Sequence, residues 1–152
     1  MFTREYRINM TAWGISRYAY MELKAFCRQY PEKKAQANAL LGVGASCRVE
    51  QHKTSAGEVV GVAAPRGSGT VSDPTANTAM MRERFLRDCD MIDRVAAATD
   101  GGEWASALIL NACYGVGYEY IDPAILPTSN RAAFFRARRE FFYRLNAEKF
   151  WR

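Results

Sequence analysis

The chain has 152 residues, and its 49% hydrophobic and 24% charged content is typical of one globular domain. No apolar run reaches the roughly 18 residues that a membrane span requires, and the N-terminus lacks the apolar core of a signal peptide, so we expect a cytoplasmic protein. The 21 basic and 16 acidic residues give a net charge of +5, which points toward a polyanionic partner such as nucleic acid.

The first part of the chain predicts two helical segments separated by a proline. Apolar residues recur at helical spacing over residues 12–30, and the Thr11 hydroxyl can cap the start of this helix. Pro31 has no amide proton and disfavours helical backbone at the residue before it, so the helix is expected to end or kink there. A second segment, residues 32–41, is expected to end at two glycines, Gly42 and Gly44.

Residues 42–72 predict a flexible insertion. Six of the chain's eleven glycines lie in this stretch, together with clusters of Ser and Thr. A weak hairpin is predicted within it, with strands Arg48–His52 and Glu58–Val62 around a turn at Thr54–Gly57.

A long helix is predicted from Pro74 to about Ala98. Ser72 or Asp73 can cap it, and proline suits a first helical turn because its missing amide proton costs nothing there. The predicted apolar stripe consists of Met81, Phe85, Cys89 or Asp88, Ile92, and Val95 or Ala96. We expect this helix to pair with the first one as an antiparallel hairpin, so that residues 1–98 form a long-helix hairpin interrupted by the loop 42–72.

Residues 99–152 predict a helix-turn-helix-like region. After a break at residues 100–102, the pattern indicates a helix over 103–114, a single turn over 118–121, a short helix over 122–126 and a last helix over 130–150. Residues 127–129 are expected to end the short helix and cap the last one. This order of helix, short helix, tight turn and longer helix is that of a helix-turn-helix unit, whose final helix enters the major groove. The fold class predicted for the whole chain is therefore all-α.

The last helix is predicted to have one apolar and one basic face. Residues 127–152 contain seven basic and two acidic residues, which accounts for the whole net charge of +5. At about 100° per residue, the apolar face consists of Phe134, Phe135, Ala137, Phe141, Phe142 and Leu145. The opposite face consists of Ala132, Arg136, Arg139, Tyr143 and Asn146. A helix lying in a DNA groove needs such a basic outer face.

The chemistry of these side chains predicts their roles on DNA. The candidate DNA-binding residues are Thr128, Ser129, Asn130, Arg131, Arg136, Arg138, Arg139, Tyr143, Arg144 and Lys149. An arginine forks onto guanine and an asparagine onto adenine, which makes Asn130 and Arg136 the candidates for base edges, with Ser129 and Arg131 beside them. Thr128 and Ser129 are placed to hold a phosphate at the helix start. The predicted DNA-backbone contacts are Arg139, Arg144 and Lys149. Arg138 lies within the apolar arc, where its stem is able to snorkel.

Two motifs resemble a known family. The segment Leu126–Arg139 (LPTSNRAAFFRARR) resembles the C-terminal segment of phage regulators of the ArpU/RinA-like type, and the motif SDPT at Ser72–Thr75 is similar to relatives of that group. The segment Tyr20–Pro31 resembles uncharacterised proteins from phages and prophages of Gram-positive gut bacteria. The resemblance implies a sigma-like helix-turn-helix fold and control of late phage genes.

The sequence favours a sequence-specific DNA-binding phage regulator, and two other function classes are compatible with the same basic helix. A phage-encoded interaction protein that inhibits a host nucleoprotein, of the anti-CRISPR type, would use the same basic helix, and a packaging adaptor would form a ring. Dimerisation through the long helices is a further expectation. An enzyme is not expected, because the chain has no nucleotide-binding glycine loop, HExxH or GxSxG motif. No metal or other cofactor is expected either, because the four cysteines and His52 are widely separated.

Overall fold

Helices dominate the residues that the computed structural model describes, which are 11–44, 51–53, 59–61 and 74–151. Within these ranges the five α-helices are α1 (Arg17–Arg28), α2 (Tyr30–Gly44), α3 (Pro74–Ala98), α4 (Ala105–Ala112) and α5 (Arg131–Phe150). Four 3₁₀ turns accompany them, at Thr11–Trp13, Thr99–Gly102, Tyr118–Tyr120 and Pro123–Ile125. The predicted all-α class is confirmed.

The first helix begins later than its apolar spacing predicted. Gly14 adopts a left-handed φ of +71° and separates the 3₁₀ turn from α1. Ser16 then caps α1, because its Oγ accepts a hydrogen bond from the Ala19 amide at 3.1 Å. The predicted cap at Thr11 is therefore wrong. The predicted break before Pro31 is confirmed, since α1 ends at Arg28 and α2 starts again at Tyr30.

Helices α2 and α3 pack side by side as an antiparallel pair. Three contacts with opposite chain directions show this: Tyr30 with Asp93, Lys33 with Asp88, and the Ala37 carbonyl with Arg82. The hairpin partner of α3 is therefore the segment after Pro31. The predicted caps Ser72 and Asp73 lie outside the described residues.

The apolar stripe of α3 is buried only in its C-terminal half. Cys89, Ile92 and Val95 are buried, as expected from their spacing. Phe85 is only partly buried, and Met81, nearer the N-terminal end of the helix, remains half exposed. The predicted place of Met81 in the core is wrong.

A short hairpin is present in the glycine-rich region. Strand β1 (Gln51–Lys53) pairs antiparallel with β2 (Val59–Gly61), and Gln51 lies opposite Gly61. This pairing confirms the predicted hairpin, with the first strand reaching Lys53 instead of His52. The turn at residues 54–57 and the remaining residues of both predicted strands lie outside the described residues. Most of the remaining loop 42–72 lies outside the described residues.

A single aromatic-rich cluster forms the core of the described residues. It joins α1, α3, α4 and α5, so residues from both of the predicted regions, 1–98 and 99–152, pack together. Its largest fully buried side chains are Phe134, Phe141, Phe142, Leu23, Ile92, Leu108 and Leu145. Because four of these seven come from α5, the inner face of the last helix is anchored to the body along much of its length.

Candidate nucleic-acid interface

The start of α5 is an exposed turn held by its own side chains. Asn130 caps the helix, because its Oδ1 accepts from the amides of Ala132 at 3.0 Å and Ala133 at 3.3 Å. Thr128 Oγ1 accepts from the Asn130 amide at 3.2 Å, and every residue from 127 to 132 is exposed. The predicted cap at Ser129 is therefore wrong. Pairing with adenine would require the Asn130 oxygen, which the helix start already uses.

The segment before α5 keeps the predicted order but not a second α-helix. Between α4 and α5, the expected short helix at residues 122–126 is a three-residue 3₁₀ turn, Pro123–Ile125. Asp122 caps this turn by accepting from the Ala124 amide at 2.9 Å. A helix-turn-helix unit places an α-helix at this position, so the similarity to that unit is confined to the order of elements.

The two predicted faces of α5 are both present. Phe134, Phe141 and the other buried residues of α5 turn inward, and Phe135 of the predicted apolar face is only partly buried. On the outer face Arg136 and Tyr143 are exposed and Arg139 is partly exposed. Neither Arg136 nor Arg139 forms an ion pair within the described part of the chain. The outer face therefore presents two arginines whose charges no neighbouring carboxylate neutralises.

A tryptophan from the other end of the chain extends this outer face. The ring of Trp13 meets that of Tyr143 edge to face, with centroids 5.5 Å apart and an angle of 63°. Both rings are exposed, at 36% for Trp13 and 47% for Tyr143. Sequence reasoning missed Trp13, because nothing in a local pattern links it to a helix about 130 positions away. We name the set Arg136, Arg139, Tyr143 and Trp13 the outer patch.

Three of the other candidate cations are bound to carboxylates. Arg131 pairs with Glu119 at 3.0 Å, Arg144 with Glu140 at 2.8 Å, and Lys149 with Glu22 at 2.8 Å. Such surface pairs are weak, about 0–1 kcal/mol, so Arg131 and Arg144 keep some ability to turn toward a phosphate. Their net contribution to a positive surface is nevertheless smaller than that of the outer patch.

Arg138 lies on the inner side of α5. Its Nε donates to Asn111 Oδ1 at 2.7 Å, and its guanidinium carbon lies 5.1 Å from the centroid of the Phe142 ring. The prediction that this side chain crosses the apolar arc is confirmed. Arg136 is two positions away, or about 200° around the helix, so Arg138 does not belong to the outer patch.

No protein-family model, curated protein or solved structure matches the chain. The similarity to ArpU/RinA-like regulators therefore stays a prediction. None of the helices in the described ranges is both long and apolar enough to cross a membrane. Those ranges also hold no group of three His, Cys, Asp or Glu side chains arranged to bind a metal ion.

Proposed function

We propose that the protein binds duplex DNA through the outer patch and acts as a sequence-specific regulator of phage genes. The observation that carries the proposal is that Arg136 and Arg139 form no ion pair among the described residues. Arg136 and Arg139 have no carboxylate partner in the described chain, and they share one face of a helix whose opposite face is buried in the core. A rigid cationic ridge of this kind complements a regular array of phosphates.

The dimensions of α5 suit the major groove. Its 20 residues make a rod of about 30 Å, and an α-helix with side chains is about 10–12 Å wide, close to the groove's roughly 12 Å. Residues 127–132 are all exposed, so a ligand in solution can reach the N-terminal end of the rod. The partial positive charge of that end adds to the attraction for phosphate.

Each member of the outer patch receives a role from its chemistry. Arg136, one turn into the exposed end, is placed for a two-pronged contact with guanine. Arg139 lies toward the flank of the same face and is placed for a phosphate. The Tyr143 and Trp13 rings offer apolar surface and polar tips against the sugar–phosphate backbone.

Fluorescence anisotropy on labelled duplexes tests the proposal. One duplex comes from the regions flanking the gene and the other is a scrambled sequence of equal length. We expect tighter binding to the first duplex and an affinity that falls as salt is added. In Arg136→Ala/Arg139→Ala, the slope of log affinity against log salt concentration should decrease by about 2 if both arginines contact phosphates. The decrease should be smaller if Arg136 contacts a base.

A matched control removes two arginines elsewhere. Arg84 and Arg87 are exposed on α3, and Arg87 makes only an exposed pair with Glu83 at 2.9 Å. The Arg84→Ala/Arg87→Ala variant has the same net charge as the test variant. Equal losses in both variants, or no binding by the unaltered protein at low salt, would contradict the proposal.

A second candidate is an inhibitor that docks the same patch on a host nucleoprotein. The observation that favours it is the exposed Trp13–Tyr143 pair beside arginines, because Trp, Tyr and Arg dominate the energetics of protein interfaces. This candidate predicts weak, equal binding to both duplexes. It also predicts that a host protein is captured by the unaltered chain and by the α3 control, and lost on Tyr143→Ala.

A further inference from the structure

Two cations meet at the turn that follows α4, on the side of α5 away from the outer patch, and a third lies near them on α1. The first is Arg28 of α1, whose guanidinium lies against Gly115. Gly115 has a left-handed φ of +73°, and a Cβ at this position would overlap Arg28 Nη1 and lie 2.7 Å from Cζ. A side chain at Gly115 would therefore compete with the Arg28 guanidinium for the same space.

The second cation, Arg138, is fixed at the same turn by an amide. Asn111 Oδ1 accepts from Arg138 Nε at 2.7 Å, while Asn111 Nδ2 donates to the Val116 carbonyl at 2.9 Å. Asn111 thus links Arg138 to the residue next to Gly115. The guanidinium groups of Arg28 and Arg138, which come from different helices, therefore both contact the short segment of residues 111–116.

The third cation, Lys24, lies one helical turn before Arg28 on α1. Its Nζ is 5.7 Å from the centroid of the Tyr20 ring, and that ring meets Phe142, the ring that Arg138 covers, with centroids 5.1 Å apart. Burial, the charge of Arg138 and the charge of Arg28 together lower the pKa of Lys24. Lys24 is therefore close enough to both arginines for their charges to disfavour its own.

No carboxylate forms an ion pair with Lys24, Arg28 or Arg138 within the described residues. The contacts of Lys24, Arg28 and Arg138 are with aromatic rings, an amide and a glycine, all of which are neutral. The C-terminal end of α4 supplies a partial charge of about −0.5, which offsets only a fraction of three unit charges. Lys24 and Arg28 are exposed, so a ligand in solution can reach them.

We propose that Lys24, Arg28 and Arg138 form a binding site for a phosphate group, the phosphate site. A tetrahedral dianion fits the need, because its oxygens accept from several donors at once and its charge removes the mutual repulsion of the cations. The group comes either from a small phosphorylated molecule or from a nucleic-acid backbone. Arg136 and Arg139 are not part of the site, so the proposal does not depend on the proposed function.

Thermal unfolding of the full chain in inorganic phosphate, compared with chloride at equal ionic strength, tests the site. At phosphate about tenfold above the Kd, we expect the Tm to rise by about 3–6 °C over chloride. In Lys24→Glu the new carboxylate lies four residues before Arg28, the favourable order for a helical ion pair. We expect this variant to have a higher Tm than the unaltered protein in chloride and no further rise in phosphate.

Two controls keep the result interpretable. Arg84→Glu makes the same charge change on the exposed face of α3 and should keep the full phosphate response. Lys24→Gln removes one cation without adding an acid, and it should weaken the phosphate response. It serves as the test variant if Lys24→Glu fails to fold. Equal Tm values in the two salts for the unaltered protein, or a full response in both Lys24 variants, would overturn the proposal.

Duplex binding by Lys24→Gln then separates the two sources of phosphate. Unchanged DNA affinity would assign the site to a small phosphorylated ligand. A parallel loss of DNA affinity and phosphate response would assign it to the nucleic-acid backbone. Failure of DNA binding altogether would overturn the proposed function and leave the phosphate response of the chain intact.

Discussion

The Tyr30 hydroxyl connects two charged groups, because it donates to Asp93 Oδ1 at 2.8 Å and accepts from Lys34 Nζ at 2.7 Å. This relay joins the start of α2 to α3. Burial, opposed by Lys34 and reinforced by Asp93, raises the pKa of Tyr30 to about 12. The hydrogen bond to Tyr30 in turn raises the pKa of Lys34.

The raised pKa of Tyr30 predicts a loss of stability in alkali. The unfolded tyrosine releases its proton near pH 10, whereas the folded one keeps it to about pH 12, so this contribution is complete below pH 10 and is lost as the pH rises toward 12. We expect Tyr30→Phe to unfold more easily than the unaltered protein at pH 8, by about 1 kcal/mol, and to lose less stability by pH 11. Urea unfolding at the two pH values measures both effects. Tyr120→Phe, at an 84% exposed residue, should change neither.

The break between α3 and α4 predicts unequal costs for two neighbouring glycines. Gly101 and Gly102 both have a positive φ, at +75° and +85°. A Cβ on Gly101 would meet nothing within 4 Å, whereas one on Gly102 would lie 2.8 Å from the Ala97 carbonyl oxygen. We expect Gly101→Ala to cost about 1 kcal/mol from backbone strain alone, and Gly102→Ala to cost clearly more because a backbone atom has to move. Equal losses in thermal unfolding would show that the clash is relieved elsewhere.

The cap on α5 predicts how Asn130 responds to substitution. Asn130→Ala should cost about 1 kcal/mol in unfolding free energy, because two helix amides lose their acceptor. Asn130→Ser restores a capping oxygen and should recover most of that loss while leaving duplex affinity unchanged. A serine variant of normal stability with weakened DNA binding would instead make Asn130 a contact residue.

The two faces of α5 predict a clean separation of stability from binding. Phe141 is fully buried, so Phe141→Ala should cost about 3–5 kcal/mol, and Phe141→Leu less. Tyr143→Ala on the outer face should change stability by no more than about 1 kcal/mol, its edge contact with Trp13 included, yet weaken duplex binding. Chemical denaturation and anisotropy on the same preparations check both. If Phe141→Leu weakened duplex binding and Tyr143→Ala did not, the interface would lie elsewhere.

The buried thiols predict slow reaction with thiol reagents. Cys27, Cys89 and Cys113 are buried, and a hydrogen bond with Cys27 together with burial raises the pKa of Cys113. In a Cys47→Ser background, we expect none of the three to react rapidly with a disulfide reagent at pH 8 and all three to react in denaturant, because only an exposed thiolate is reactive. Adding Ser106→Cys, at an exposed residue of α4, supplies a positive control for native-state labelling.

Features that depend on a few neighbouring residues were predictable from the sequence. The break before Pro31, the break at residues 100–102, the helix ending at Ala98 and the two faces of α5 all agree with the structure. Each depends on a missing amide, a permissive glycine or a 3.6-residue period, and these operate within one or two helical turns. Caps were less predictable, because Ser16 and Asn130 compete with other polar residues close by.

The long-range partners of the charged groups were decided by the tertiary structure alone. Lys149 meets Glu22 across 127 positions, Arg138 meets Asn111 across 27, and Trp13 reaches Tyr143 from the other end of the chain. Counting basic residues therefore located the positive charge on α5 but did not separate the cations that have carboxylate partners from those that lack them. For pairs between different helices, that separation depends on how the helices cross, because such an ion pair forms only where packing brings two side chains within about 4 Å.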